Sequence, residues 1–492
     1  MASMTLKKKP MTKKAFQAKW ANCHAQLALA ASDPLRLRYH LQPPMGWLND
    51  PNGLCQKDGV YHIYHQFVPF YPDLCSVFWG HVTTKDFIHY EYHEPALYPD
   101  CDWDANGAYS GSVFQKDNLM YIYYTGNVRR TDKEDYDYIT AGREQNTVLT
   151  TSEDGFHFNE KQLLMTNKDY PSDLSLHVRD PQVFCENGRY YMIQGARDLN
   201  ARGSVILFES TNLTDWTYRL RFETNPPFGY MWECPNYLKT DNHQFLIACP
   251  QGIKAQGLDY TNTNQCGYFP LKYDFKGTDY ELGGFHQLDR GFDFYAPQVF
   301  QDESGRWILF GWMSTPDADY DCEQTMEHGW VHAMTIPREL YVNDDGALCQ
   351  RPVKELEQMR QHGEAKSFEA NFQICFPQKD VACFELKVEF DNPANPEKKF
   401  ELFLRESIIL QYKDGILSLD MTRCGDGRTV QGVCLNTVYS LWILSDASSL
   451  EIFVNGGSEV FTTRVFDSME QMKIKFDSKE IVGIMEYYEL AV

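Results

Sequence analysis

Between Trp47 and Phe310 the chain repeats one arrangement of apolar and polar positions: a turn-prone opening, a strand, a polar turn, and a returning strand dense in aromatic and β-branched residues. Five copies align at intervals of about 60 residues. The first runs from Asp50-Pro51-Asn52-Gly53-Leu54 to Val60-Tyr61-His62-Ile63-Tyr64, and the second from Ser110-Gly111-Ser112-Val113-Phe114 to Met120-Tyr121-Ile122-Tyr123-Tyr124. The third joins Asp180-Pro181-Gln182-Val183-Phe184 to Tyr190-Tyr191-Met192-Ile193, and the fourth joins Cys234-Pro235-Asn236-Tyr237-Leu238 to Phe245-Leu246-Ile247-Ala248. The fifth joins Ala296-Pro297-Gln298-Val299-Phe300 to Trp307-Ile308-Leu309-Phe310. Turns such as Lys57-Asp58-Gly59 and Glu186-Asn187-Gly188 make each copy a β-hairpin. A polar turn closing on an aromatic residue follows three of them, at Thr84–Phe87, Thr151–Phe156 and Ser210–Trp216.

Units of this length hold about four strands, and such repeats are expected to close radially, which protects their sheet edges. The expected fold is therefore all-β, with a five-bladed β-propeller over residues 36–345 after an N-terminal lead at 1–35. An open β-sandwich with coincidental turns is the competing arrangement. From Arg351 to Gln361, Val353, Leu356 and Met359 fall at helical spacing behind Pro352, which predicts a linker helix within 346–365. Beyond it, Phe384–Phe390 alternates strictly, and Leu450–Val454 meets Val460–Thr462 across Asn455-Gly456-Gly457, so residues 366–492 are expected to form a C-terminal β-sandwich.

Composition narrows the function. The formal net charge of −22 repels phosphate backbones and anionic lipid, so neither nucleic acid nor a membrane surface is an expected partner. Aromatic residues make up 14% of the chain, which suits a strand-rich core or a sugar-binding cleft. The 14 cysteines include no CxxC pair, and a reduced, cytoplasmic setting is the simpler expectation. The N-terminal lysines are followed by an apolar stretch, Leu27–Ala31, too short for a secretory core. No run is long enough for a transmembrane helix.

Asp50 and Asp180 stand at the same phase, directly before the repeat proline, and Glu233 stands two before it. In a radial fold the first strand of each unit lines the centre, so these three acids should converge. Two carboxyls about 5 to 5.5 Å apart cleave a glycosidic bond with retention, one as nucleophile and the other as acid and then base. Met231 and Trp232 are expected to give Glu233 apolar surroundings that raise its pKa, while Asn49 and Asn52 favour an ionised Asp50.

The run Trp47-Leu48-Asn49-Asp50-Pro51-Asn52-Gly53, with Arg179-Asp180-Pro181 and Glu233-Cys234-Pro235, resembles the three signature motifs of glycoside hydrolase family 32, the invertase and sucrose-6-phosphate hydrolase family. Tyr64-His65-Gln66, Trp79-Gly80-His81, Tyr109-Ser110-Gly111-Ser112, Phe292–Pro297, Gly311-Trp312-Met313 and Ile336–Leu340 match further family segments in order. Two departures are Tyr109, where Phe is usual, and Asn236-Tyr237, where bacterial members often carry Asp then Leu. The resemblance implies β-fructofuranosidase activity on sucrose or sucrose 6-phosphate, with Asp50 as nucleophile, Glu233 as acid/base and Asp180 as transition-state stabiliser. It places Asn49, Gln66, Trp79, Ser110, Arg179 and Trp312 in the fructose pocket. Fructosyl transfer through the same intermediate, or a sugar-binding propeller without turnover, are the alternatives.

No metal or cofactor is expected: His62 and His65 lie three apart on a strand and face opposite sides, and no GxSxG, GxGxxG or P-loop pattern occurs. A small-molecule sugar is the expected partner, and oligomeric state is left open. Were the sugar phosphorylated, Arg129, Arg130, Arg197 and Arg202, on loops after the second and third repeats, would be the candidates to hold the phosphate.

Overall fold

The computed structural model describes residues 11–492 except 73–75, 132, 370–372, 376–381, 406 and 467–473. Between Gly46 and Pro352 the chain forms five antiparallel sheets, each opening with one of the five repeat strands: Gly46–Lys57, Ala108–Lys116, Leu174–Glu186, Met231–Lys239 and Tyr295–Gln301. These opening strands touch in order, and the last touches the first, so they surround a common axis. The seam is closed by parallel pairing of Gly46 and Trp47 with Trp330 and Val331. The three polar turns form as expected. At each, a Thr or Ser hydroxyl accepts the backbone N–H three residues on, at Phe87 (2.9 Å), Gly155 (2.8 Å) and Leu213 (2.9 Å).

Every opening strand is bulged where the repeat motif falls. Pairing with the neighbouring strand skips Asn49 and Asp50 in the first, Ser110 in the second, Asp180 and Pro181 in the third, Cys234 and Pro235 in the fourth, and Ala296 and Pro297 in the fifth. Proline has no N–H to give the ladder, which favours a bulge at that point, and a bulge re-aims the neighbouring side chain. The residues before the prolines of the last three strands, Asp180, Cys234 and Ala296, take left-handed φ of 65°, 47° and 45°. For side-chain-bearing residues that conformation costs energy, and the surrounding packing must hold it.

The amide that follows the repeat proline laces the sheets together. Gln298 accepts from Leu54 N at 2.8 Å and donates to the Gly111 carbonyl at 2.7 Å. Asn236 donates to the Pro297 carbonyl at 2.9 Å, and Gln182 accepts from Tyr237 N at 2.7 Å.

The N-terminal lead holds two short helices, Lys13–Trp20 and His24–Ala31, of which the first packs Phe16 against Phe78 and Tyr98; residues 1–10 lie outside the described residues. The expected linker helix is not formed over 346–365. That stretch contains the strand Leu348–Pro352, a 3-10 helix at Lys354–Met359 and the start of the strand Arg360–Phe368. Val353, Leu356 and Met359 are all buried, and their spacing of three is the period of a 3-10 helix, which sequence periodicity alone does not separate from an α-helix.

The C-terminal region forms two six-stranded sheets. Phe384, Leu386, Val388 and Phe390 all point into one apolar core, and Ile452 pairs with Phe461 as the hairpin pattern predicts. That core continues into the first part of the chain through Tyr39, Leu41 and Phe292. A buried charge network crosses the same boundary. Arg338 reaches Glu451 and, at 3.1 Å, Asp289, while Arg428 holds Asp293 at 2.9 Å. His40 sits between Asp446 at 2.8 Å and Glu451 at 3.0 Å.

Candidate active site

The bulged inner strands bring Asp50, Asp180 and Glu233 together around Cys234 and Arg179. The Cys234 thiol lies 3.7 Å from a carboxylate oxygen of both Asp50 and Asp180, and the Cys234 backbone N–H donates to Asp180 at 2.9 Å. Asp50 accepts from the Ser110 hydroxyl at 2.6 Å and the Asn49 amide at 3.0 Å. Glu233 is held on both oxygens. Arg179 grips Oε1 with Nε, at 2.9 Å, and with Nη2, and the other oxygen accepts from Tyr295 and Gln251, each at 2.7 Å.

These contacts distribute charge differently from the sequence-based expectation. Trp232 does not face Glu233: its ring stacks on Phe269 at 4.8 Å within the adjoining core, and its indole N–H binds the Phe228 carbonyl. Neighbours along a strand point to opposite sides, so a residue adjacent in sequence is the one least able to provide the surroundings. Asn52 is fully buried, and Ser110 takes the place beside Asp50 expected for it. Burial, reinforced by Glu233 and opposed by Ser110 and Asn49, raises the Asp50 carboxyl to about 6. Burial also raises Asp180 to about 7, with Arg179 opposing and Glu233 and Asp50 adding to the rise. Arg179 reaches Glu233 and Asp180 but not Asp50, so burial keeps the Asp50 and Asp180 carboxyls above their ordinary values.

Of the expected pocket residues, Asn49, Ser110 and Arg179 contact the acids directly. Trp312 is 5% exposed and joins Trp47, Tyr295 and His332 in an aromatic wall beside them. Gln66 and Trp79 are placed elsewhere. Both are buried, at facing positions of neighbouring strands, and they bind the carbonyls of Ala108 and Tyr109 at 3.0 Å each. They fix the backbone that presents Ser110, one step behind the pocket. Tyr295, Gln251 and His177 were missed by sequence reasoning. Tyr295 alone carried a signal, as the residue before the Ala296-Pro297 of the fifth repeat.

Arg130 and Arg202 are engaged locally, with Glu144 at 3.1 Å and Asp198 at 3.0 Å. Arg129 donates to the Tyr109 hydroxyl at 3.0 Å, and the Arg197 guanidinium lies 4.8 Å over the Tyr230 ring. Among the described residues, one group of metal-ligand type gathers outside the site, Asp100, Cys101 and Asp104, and there the Lys161 ammonium stands 2.6 Å from Asp100 and 2.7 Å from Asp104.

Family comparison agrees with this geometry. Residues 40–352 match the model of the glycosyl hydrolases family 32 N-terminal domain, and residues 355–485 match the family 32 C-terminal model. The chain is 37% identical to a sucrose-6-phosphate hydrolase of Bacillus subtilis over 89% of its length and 90% of the relative's. It is 31% identical to a raffinose invertase of Escherichia coli, covering 89% of this chain and 90% of that one. Among solved structures, sucrose-6-phosphate hydrolase from Lactobacillus gasseri superposes with a TM-score of 0.84 at 29% identity, covering 95% of both chains. A Bombyx mori β-fructofuranosidase mutant in complex with sucrose gives 0.81 at 25% identity, over 97% of this chain and 98% of that one.

Proposed function

The chain belongs to glycosyl hydrolase family 32, and from that premise and the site geometry we propose that Asp50, Glu233 and Asp180 carry out retaining hydrolysis of the fructosyl bond of sucrose or sucrose 6-phosphate. The observation that carries the assignment is the convergence of three acids from three separate sheets on the Cys234 thiol and the Arg179 guanidinium.

Asp50, ionised, attacks the fructosyl anomeric carbon while Glu233 protonates the departing glucosyl oxygen, leaving a covalent fructosyl-enzyme. Glu233, now a carboxylate, removes a proton from water, which attacks the same carbon and releases Asp50. Ser110 and Asn49 orient the nucleophile and stabilise its charge. Tyr295 and Gln251 fix the Glu233 carboxyl plane. Asp180, held by the Cys234 N–H, accepts hydrogen bonds from fructose hydroxyls, which strengthen as positive charge develops at the anomeric carbon.

The five sheets surrounding one axis support a five-bladed propeller, which carries the site at the bulges of its inner strands, and a C-terminal sandwich braced against it. The described cysteines are free thiols, which supports a reducing, cytoplasmic setting.

The test is kinetic. Glu233→Ala should lose turnover on sucrose but retain the fructosylation step on a fructoside whose leaving group needs no proton, and azide should then trap the intermediate. Equal loss on both substrates would remove Glu233 from the acid role.

A further inference from the structure

In a chain with formal charge −22, three arginines without carboxylate partners among the described residues, Arg129, Arg143 and Arg197, lie on the aromatic rings of Tyr138 and Tyr230. Outward from the acid, Arg179 Nη1 lies 2.8 Å from His177 Nδ1, and His177 Nε2 lies 3.0 Å from the Tyr138 carbonyl. That pair of contacts sets the tautomer: Nδ1 accepts from the guanidinium, Nε2 donates, and the imidazole stays neutral. Tyr138 is the hub. The Arg143 guanidinium lies 4.4 Å over its ring and Arg129 lies 5.9 Å from it. Arg197, whose charge also reaches His177, covers Tyr230, itself close enough to Glu233 to feel its charge.

The state of Arg143 sets this group apart. It is 3% exposed, yet its Nε and Nη1 have no hydrogen-bond partner. Among the described residues neither it nor Arg129 nor Arg197 has a carboxylate within 4.0 Å. The nearby acids are committed elsewhere: Glu144 to Arg130, and Asp137 to the N–H groups of its own turn at Ile139 and Thr140. A buried guanidinium normally finds an anion, because leaving its charge unpaired is costly. Here the aromatic faces supply part of the stabilisation, and two donors are left over.

We propose that Arg143, with Arg129 and Arg197, forms a binding site for the phosphate of a sugar phosphate whose fructosyl bond lies at Glu233. The proposal rests on the fructosidase reading above and assigns residues to its leaving-group side. A phosphate monoester brings close to two negative charges and three acceptor oxygens, which match the unused donors of planar guanidinium forks. The three acids at the reacting end repel such a dianion, so its cations must stand outside them, and Arg143 does, one step out from Arg179 through His177 and Tyr138. This replaces two of the four arginines expected from the sequence: Arg130 and Arg202 are neutralised in their own ion pairs, whereas Arg143, inside a strand, is not.

The experiment compares kcat/KM for sucrose 6-phosphate and for sucrose in the wild-type protein and in Arg143→Gln, Arg129→Gln and Arg197→Gln. The wild-type ratio should favour the phosphorylated sugar by about tenfold or more and shrink with added salt. Each variant should lower that ratio, Arg143→Gln most, by about tenfold. Glucose 6-phosphate should inhibit sucrose hydrolysis more strongly than glucose or inorganic phosphate, which marks a sugar-phosphate site and not a general anion site. A wild-type ratio near one, parallel loss on both sugars in the variants, or inhibition by inorganic phosphate equal to that by glucose 6-phosphate would each overturn the proposal. If Arg143→Gln fails to fold, the two more exposed arginines decide. If neither sugar is hydrolysed, the fructosidase reading fails by itself, and calorimetry with glucose 6-phosphate still tests the site: binding tighter than glucose and lost in the variants supports it, and no preference rejects it.

Discussion

Two buried groups of acids in this molecule are built to opposite ends. At the axial site, Asp180 and Glu233 share one arginine, Asp50 has none, and burial raises Asp50 and Asp180 toward neutral pH. At the boundary between the propeller and the sandwich, Asp293, Asp446 and Glu451 meet Arg428, His40 and Arg338. There burial is outweighed by His40 and backbone donors at Asp446, which falls to about 2, and by Arg338 and His40 at Glu451, which also falls below its ordinary value. Asp289 is the intermediate case, still raised to about 6 by burial despite Arg338. The boundary network is matched in charge and serves to hold two units in one orientation. The axial group is deficient in positive charge, and that deficiency is what lets its carboxyls keep and exchange a proton.

The comparison is broken most severely by removing the proposed reacting groups. Asp50→Ala should reduce turnover by at least about a thousandfold. Asp50→Asn should do the same yet raise stability at pH 7 by about 1–3 kcal/mol, because it removes a carboxylate held against its solvation. Calorimetry on an inactive variant with a lower melting temperature than wild type would contradict the charge-deficient description. At the boundary the sign reverses. Arg338→Met leaves Asp289 buried without its cation and Glu451 with His40 alone, and should cost about 3–5 kcal/mol, with activity declining only as the folded fraction declines. Denaturant titration monitored alongside specific activity checks it.

A smaller effect is expected from pH. Asp50 and Asp180 have raised folded pKa values, so between about 4 and 7 the folded chain binds more protons than the unfolded one, and their contribution to stability falls as pH rises through that window. Asp446 is depressed, so its contribution is present above about 4 and lost as pH falls toward 2. His40 is raised by Asp446 and Glu451 against the effect of burial, so its contribution is full below about 6.5 and fades as pH rises through its folded pKa. Melting temperatures of wild type and Asp50→Asn should therefore diverge as pH rises from 4 to 7, and kcat/KM should fall as pH drops through about 6, where Asp50, the proposed nucleophile, takes up its proton. Curves that stay parallel would detach Asp50 from the pH dependence.

The smallest expected effect separates packing from sugar contact. Trp79→Phe removes the hydrogen bond to the Tyr109 carbonyl and should cost about 1 kcal/mol. Because Trp79 stands behind Ser110, kcat should change more than KM for sucrose. A rise in KM alone would return Trp79 to the pocket wall.

The amino-acid sequence by itself determined the repeat, the family and the three candidate acids. Period-two alternation and turn residues are local properties, and the proline at one phase of four of the five repeats marks where those inner strands bulge, so Asp50, Asp180 and Glu233 stand out as candidates from the sequence alone. Which side chains surround those acids was decided only by tertiary structure. Trp232 adjoins Glu233 in sequence and turns away from it, while Tyr295, Gln251 and Arg179 reach it from other strands and other sheets. The spacing of Val353, Leu356 and Met359 left a 3-10 turn and an α-helix undistinguished, and burial chose between them. Arg130 and Arg143 look alike as residues of one loop and strand. One found Glu144 and the other was folded onto Tyr138 with donors unused, because charge pairing depends on distances through space that sequence separation does not encode.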